Sequence, residues 1–185
     1  MKQTAYTGSL GRDDDRDSDS WYTPSEYLDA ARRTLRGFSL DPFSSKLANK
    51  TVKADKILTV EDDALKTEWA YGPSVWMNPP YSRGLCRLAA ERFVEQYQAG
   101  NFKRGIVLCN NATDTQWWHL LVESSTAVCF TDHRIAFISP DGKQVSGNTR
   151  GQTFFLYSDK RSKVLDRFRV NFEPFGAIME VTNND

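Results

Sequence analysis

The 185-residue chain is poor in the residues that hold metals or cross-links. It has three cysteines, Cys86, Cys109 and Cys129, an odd set with no paired spacing, and two histidines, His119 and His133, set far apart. Neither a disulfide framework nor a zinc site is indicated, so no metal is expected. Long apolar runs are also missing. No stretch approaches membrane-spanning length, and the first residues lack the apolar segment of a signal peptide. A cytosolic compartment without membrane contact is the expectation. Charge of one sign is not in excess either, with 24 Lys plus Arg against 24 Asp plus Glu. A net charge of zero gives no global electrostatic case for nucleic acid, so such contact has to come from local clusters.

What is present is an ordinary folding composition, 39% hydrophobic and 26% charged, with 5 Trp and 11 Phe. That suits one domain with a sizeable core. Residues 1–20 stand apart, with Asp13, Asp14, Asp15, Asp17 and Asp19 among few apolar residues. They are expected to form a disordered acidic tail ahead of a single domain over 21–185.

Thr23-Pro24-Ser25-Glu26 predicts a helix start, with Thr23 as cap, Pro24 at the first position and Glu26 closing a capping box. Tyr27, Leu28, Ala31 and Leu35 then share one face, and Gly37 ends the helix. Phe38-Ser39-Leu40 predicts a strand running into Asp41-Pro42. Residues 43–73 are polar, with a weak apolar patch at Ile57-Leu58. Val75-Trp76-Met77 predicts a strand that ends at Asn78-Pro79-Pro80. A helix follows, marked by Leu85, Leu88, Ala89, Phe93 and Tyr97, then a buried strand over 105–109. The next helix surrounds Trp117 and Trp118, with His119 as a packing residue. Strands are expected at 126–130, 134–138, 153–157 and 176–181, and a basic helix at 159–169. The alternation predicts an α/β class, a mostly parallel sheet with antiparallel strands at one edge. Ligands of such sheets sit beyond the carboxyl ends of the strands. Asp41-Pro42 and Asn78-Pro79-Pro80-Tyr81 would open onto one crevice there.

Asn78-Pro79-Pro80-Tyr81 directly after a hydrophobic strand is the strongest chemical signal. Two prolines fix φ and remove two N–H donors, leaving a stiff loop rich in acceptors. An aromatic amine is a poor nucleophile because its lone pair is delocalised into the ring. Two acceptors on its N–H groups, the Asn78 side-chain oxygen and the Pro79 carbonyl, would localise that pair for in-line attack on a methyl donor. Tyr81 would stack on a base swung out of a duplex, worth roughly 1–3 kcal/mol.

Along nearly all of its length beyond the tail, the sequence resembles the phage-type Dam family of DNA N6-adenine methyltransferases. The landmarks in order are Trp21-Tyr22-Thr23-Pro24, Leu40-Asp41-Pro42-Phe43-Ser44-Ser45 with Asn49, Asp63-Ala64-Leu65 with Trp69, and Asn78-Pro79-Pro80-Tyr81-Ser82. Thr113-Asp114-Thr115 with Trp117 and His133-Arg134-Ile135 with Phe137 complete the series. The resemblance implies a Rossmann-like fold, S-adenosylmethionine as donor and a place in the cytoplasm of a phage host. It assigns Asp41 and Pro42 to the cofactor loop after the first strand, where a carboxylate pairs with the donor's ammonium. Thr23 and Pro24 would touch its carboxylate end, Asp63 would accept from its adenine amine, and Asn78 would border it. Asp55 and Glu61 both qualify as the ribose ligand. The loop at 41–45 lacks the glycines of the common G-x-G pattern.

For double-stranded DNA the candidates are Lys160, Arg161, Lys163, Arg167 and Arg169, with Arg134, Lys143 and Arg150 nearby. Two other readings stand beside this one. The same fold would serve an RNA adenine or a protein glutamine as methyl acceptor, although glutamine methylases carry glycine-rich donor loops. A catalytically silent nucleic-acid-binding protein is the third.

Overall fold

A computed structural model describes residues 21–81, 84–145, 149–158 and 163–182; the tail, Lys160 and Arg161 lie outside these residues. The chain runs β1 (Leu40–Asp41), β2 (Lys56–Ile57), β3 (Ser74–Met77), β4 (Arg104–Asn110), β5 (Ala127–Thr131), β6 (Gln152–Tyr157) and β7 (Gly176–Glu180). Its helices are α1 (Ser25–Leu35), α2 (Asn49–Val52), α3 (Leu85–Gln98), α4 (Gln116–Ser124) and α5 (Lys163–Phe172). All seven strands join one sheet in the order β2-β1-β3-β4-β6-β5-β7. The pairs β1–β2, β1–β3 and β3–β4 are parallel, and β4–β6, β5–β6 and β5–β7 are antiparallel. The expected α/β class therefore holds, with the antiparallel pairs gathered on one side.

Strand periodicity divides the core. Trp76, Ile106 and Leu108 face α1 and α5, packing with Tyr27, Leu28, Leu35, Phe168 and Phe172. Val75, Met77, Val107 and Cys109 face α3 and α4, packing with Ala89, Phe93, Trp118 and Leu121. Successive side chains leave a strand on opposite faces, so a strand covered on both sides needs an unbroken apolar run. Gly105 in β4 is small for a reason: a Cβ there would lie 2.7 Å from the Phe93 ring.

Several local expectations change. Leu88 lies on the outer face of α3, 36% exposed, while Cys86, Ala90 and Val94 join Ala89 and Phe93 inside. His119 is also exposed rather than packed, its Nε2 2.9 Å from the Thr113 carbonyl. The predicted strand at 134–138 is a loop. Ile135 and Phe137 alternate inward and are buried, but only Ile138 forms bridges, to Tyr22 and Gln144. Two inward residues without a ladder partner look the same in sequence as a strand. Ile57, by contrast, does belong to a strand, the two-residue β2. The described part of the basic helix runs from Lys163 to Phe172, past the predicted end, and the predicted start at 159–162 lies outside the described residues.

Candidate active site

Parallel pairing brings the carboxyl ends of β1, β2, β3 and β4 to one edge. Asp41 closes β1, the 3₁₀ turn Val60–Asp62 follows β2, Asn78 follows β3 and Asn110 ends β4. Because β6 runs the other way, it begins at this edge, with Gln152 opposite Asn110.

Asn78 is held by partners from distant parts of the chain. Its Nδ2 donates to Thr23 Oγ1 at 3.2 Å, and the Tyr81 hydroxyl donates to its Oδ1 at 3.3 Å. The same hydroxyl lies 3.4 Å from the Leu108 carbonyl in β4. Burial, and then the neighbouring Cys109 and Cys86 thiols, push the Tyr81 phenol well above its ordinary range, so it stays a donor. Cys86 and Cys109 themselves are buried with sulfurs 4.0 Å apart. Pro79 is buried, whereas Asn78, Pro80 and Tyr81 are part-exposed.

Thr23 does not cap α1. Pro24 occupies the cap position without a side-chain hydrogen bond, so the predicted capping box is not formed. The Thr23 hydroxyl is directed to Asn78 instead. The segment is fixed one residue earlier, where Tyr22 exchanges backbone hydrogen bonds of 2.8 and 2.9 Å with Ile138.

Asp41 is 3% exposed, and Pro42 beside it is buried. Desolvation raises the Asp41 carboxyl to a pKa of about 7, partly offset by the Ser44 side chain and the Phe43 amide. The amide donates to Asp41 Oδ1 at 3.3 Å. A buried carboxylate with so little compensation favours a cationic partner.

Asp63 follows the 3₁₀ turn with a left-handed φ of 47°. Its Oδ2 accepts from Lys66 Nζ at 2.5 Å, while Oδ1 is buried and has no hydrogen-bond partner. Buried acceptors are almost always paired, so an orphan at this edge suits an amine arriving from outside. Of the two ribose candidates, Glu61 lies in the turn after β2. Asp55 precedes β2, and its amide donates to the Phe38 carbonyl at 2.9 Å, toward the amino edge.

Arg134 is exposed on the long loop between β5 and β6, which starts and ends at the carboxyl edge. Two clamps hold this loop that single-sequence reasoning missed. The Tyr27 hydroxyl pairs with His133 Nε2 at 2.7 Å, and His133 Nδ1 with Asp132 Oδ1 at 2.5 Å. Burial first, then Glu26 and Asp132, push the Tyr27 phenol up to about 12. The second clamp is Gln152, fully buried. It accepts from the Ile135 amide at 3.1 Å and donates to Asn110 Oδ1 at 3.1 Å and the Arg150 carbonyl at 2.7 Å. These partners are up to 106 residues apart, and no local spacing signals them.

Lys163 and Arg167 do not join this group. The β6 strand ends with Tyr157 opposite Gly105, at the amino edge, and α5 begins from there. Arg167 Nε donates to the Thr34 carbonyl at the far end of α1, and Arg169 pairs with Asp166 and Glu180. Lys143 pairs with Asp141 at 3.2 Å.

Among the described residues no group of His, Cys, Asp and Glu could hold a metal, and no helix is long and apolar enough to cross a membrane. A seven-stranded sheet of this order, with an Asn-Pro-Pro-Tyr loop beside two acidic loops at its carboxyl edge, is the architecture of a Rossmann-like methyltransferase. The comparisons narrow the class. Residues 11–181 match the family described as DNA N-6-adenine-methyltransferase (Dam), and the chain belongs to that family. It is 29% identical over 147 residues to the DNA N-6-adenine-methyltransferase of Haemophilus phage HP1, covering 78% of this chain and 81% of that one. It is 27% identical over 154 residues to the DNA N-6-adenine-methyltransferase of Escherichia phage T1, covering 75% of this chain. The match spans 62% of the length of the T1 protein.

Proposed function

We propose that this chain methylates the exocyclic amine of adenine in double-stranded DNA, with S-adenosylmethionine as donor. The observation that carries the reading is the fixed orientation of Asn78, whose amide nitrogen is taken by Thr23 so that its oxygen is the acceptor end. The donor supplies an electrophilic sulfonium methyl. Asp41 is the partner for its ammonium, since a buried, weakly compensated carboxylate gains most from a fixed positive charge. The unpaired Asp63 Oδ1 is the acceptor for its adenine amine, and Glu61, rather than Asp55, is the ribose ligand. Thr23 and Pro24 border its carboxylate end.

The target base has to leave the stack to reach this edge. Its amine then takes the place of the Tyr81 hydroxyl on Asn78 Oδ1, with the Pro79 carbonyl as second acceptor and Pro80 keeping the loop stiff. The Tyr81 ring turns to stack on the base. Arg134, on its clamped loop, contacts the phosphates around the opened site. The test is transfer of a tritiated methyl group onto unmethylated duplex DNA, followed by nucleoside analysis. N6-methyladenine is the expected product. Label in RNA or protein would move the substrate, and binding of donor and DNA without any transfer would make the chain a silent binding protein.

A further inference from the structure

The edge of the sheet opposite Asn78 carries a cluster of cations with no acidic partner in contact. Arg104, at the start of β4, donates from Nε to the Leu35 carbonyl at 2.8 Å. Arg167, on α5, donates from Nε to the preceding carbonyl, that of Thr34, also at 2.8 Å. Consecutive carbonyls of one helix end thus set two guanidinium groups side by side. Arg36, the next residue, is exposed and held in the left-handed conformation with φ of 60°. No carboxylate is in ion-pair contact with any of the three among the described residues; the nearby Asp166 is paired with Arg169. Among the described residues, each of Arg104 and Arg167 uses only Nε, which leaves the outer nitrogens of both forks for a ligand.

Capping of α1 does not account for this much charge. A helix carboxyl end carries about half a negative charge, yet two guanidinium groups contact it and a third, that of Arg36, belongs to the next residue. Their mutual proximity is also reflected in their acidity. Burial, then the charges of Arg167 and Arg36, lower the Arg104 pKa, and burial followed by Arg36 lowers that of Arg167. The missing partner is an anion that accepts from planar forks, which is the chemistry of a phosphate group. The exposed Lys163, one turn before Arg167, and the exposed Lys103, next to Arg104, extend the cluster into a track. A track suits a polymer of phosphates better than one small ion.

We infer that Arg36, Arg104 and Arg167, with Lys103 and Lys163, form a second DNA-phosphate site on the sheet edge opposite the catalytic loop. The β4 strand separates the two edges, Arg104 opening it and Asn110 closing it, a span of about 20 Å at roughly 3.3 Å per residue. A duplex seated at Asn78 does not reach the second site, which therefore takes a different segment of DNA. Methylation at Asn78 does not depend on this site, so the two readings fail separately.

The test uses the full chain with a short duplex of G·C pairs only, which offers no target base. Arg36→Asn removes a charge that makes no side-chain hydrogen bond, and Asn tolerates the left-handed backbone. Affinity for the duplex should fall about three- to tenfold at low salt, and the slope of log affinity against log salt should drop by about one. Turnover on a short adenine-bearing duplex should not change. Arg167→Lys keeps the charge but loses the fork, and should fall between Arg36→Asn and the native chain. Unchanged affinity and salt slope in Arg36→Asn would overturn the inference. So would inorganic pyrophosphate binding that Arg36→Asn abolishes while duplex binding is unaltered, because the site would then belong to a small anion.

Discussion

Asn78 and Thr23 are 55 positions apart and meet through one hydrogen bond of 3.2 Å, from the Asn78 amide nitrogen to the Thr23 hydroxyl. That bond decides which end of the Asn78 side chain faces Tyr81. Removing the acceptor altogether with Asn78→Ala should lower turnover by about 100-fold or more while donor and DNA affinities stay near normal, as for loss of one preorganised electrostatic partner. Thr23→Val, which keeps the shape without the hydroxyl, should lower turnover about tenfold, the scale of one net hydrogen bond. Thr23→Ser should restore most of it. Single-turnover kinetics with separate binding titrations tests both, and equal turnover in Thr23→Val and native protein would remove Thr23 from the orienting role.

Tyr81 presents two separable features, a hydroxyl on Asn78 and a ring proposed to stack on the base. Tyr81→Phe should keep most activity, because the ring face does the stacking. Tyr81→Ala should weaken capture of the opened base by roughly 1–3 kcal/mol. A fluorescent adenine analogue at the target position reports the opening directly. Equal signals for Phe and Ala at this position would rule out the stacking role.

Asp41 predicts a pH dependence of donor binding. With a pKa of about 7, the carboxylate proposed to bind the donor's ammonium is lost as pH falls below neutrality. Donor affinity measured by calorimetry should therefore rise from pH 6 to about 7.5 and then level. Asp41→Asn should bind weakly at every pH, and an affinity that does not vary with pH in the native chain would move the ammonium elsewhere.

The same carboxyl has an opposite effect on folding in the absence of donor. Its folded-state pKa is raised above the unfolded value, so between about pH 4 and 7 the unfolded chain has released a proton that the folded chain retains. Stability contributed by this group declines as pH rises through that window and is constant above it, by at most about 4 kcal/mol. Asp41→Asn without donor should be more stable than the native chain at pH 8. Urea titrations at pH 5 and pH 8 measure the difference between the two proteins.

Gln152 satisfies three backbone or side-chain partners while wholly buried. Gln152→Leu leaves the Ile135 amide without its acceptor and should destabilise the fold by about 1–3 kcal/mol. Protection of the Ile135 amide against hydrogen exchange should fall by more than that of Leu108 in the core of β4. Equal losses at the two positions would make Gln152 a general core residue rather than a loop clamp.

The sequence showed the elements that have a strong local pattern. β4 is legible because a strand buried on both faces needs a continuous apolar run, and Asn78-Pro79-Pro80-Tyr81 because two prolines cannot continue any strand. The residues that complete the site were harder to read. Thr23 satisfies every local rule for a helix cap, and only the tertiary approach of Asn78 redirects its hydroxyl. The choice between Asp55 and Glu61 depends on which end of the two-residue strand β2 each one flanks, and so short a strand has no readable periodicity. Arg167 reads as a surface charge on a basic helix, whereas its Nε is committed to a carbonyl 133 residues earlier.

The pairing of Tyr22 with Ile138 has a consequence for synthesis. A nascent chain that has delivered α1 and even the whole Asn78 loop still lacks the loop residue that pairs with Tyr22, next to Thr23. That partner emerges from the ribosome 116 residues after Tyr22. On the proposed reading of Asn78, catalytic competence comes late in translation, after the parallel half of the sheet is already available to fold. Fragments released before Ile138 would carry the reactive loop without the means to orient it, and would leave DNA unmarked.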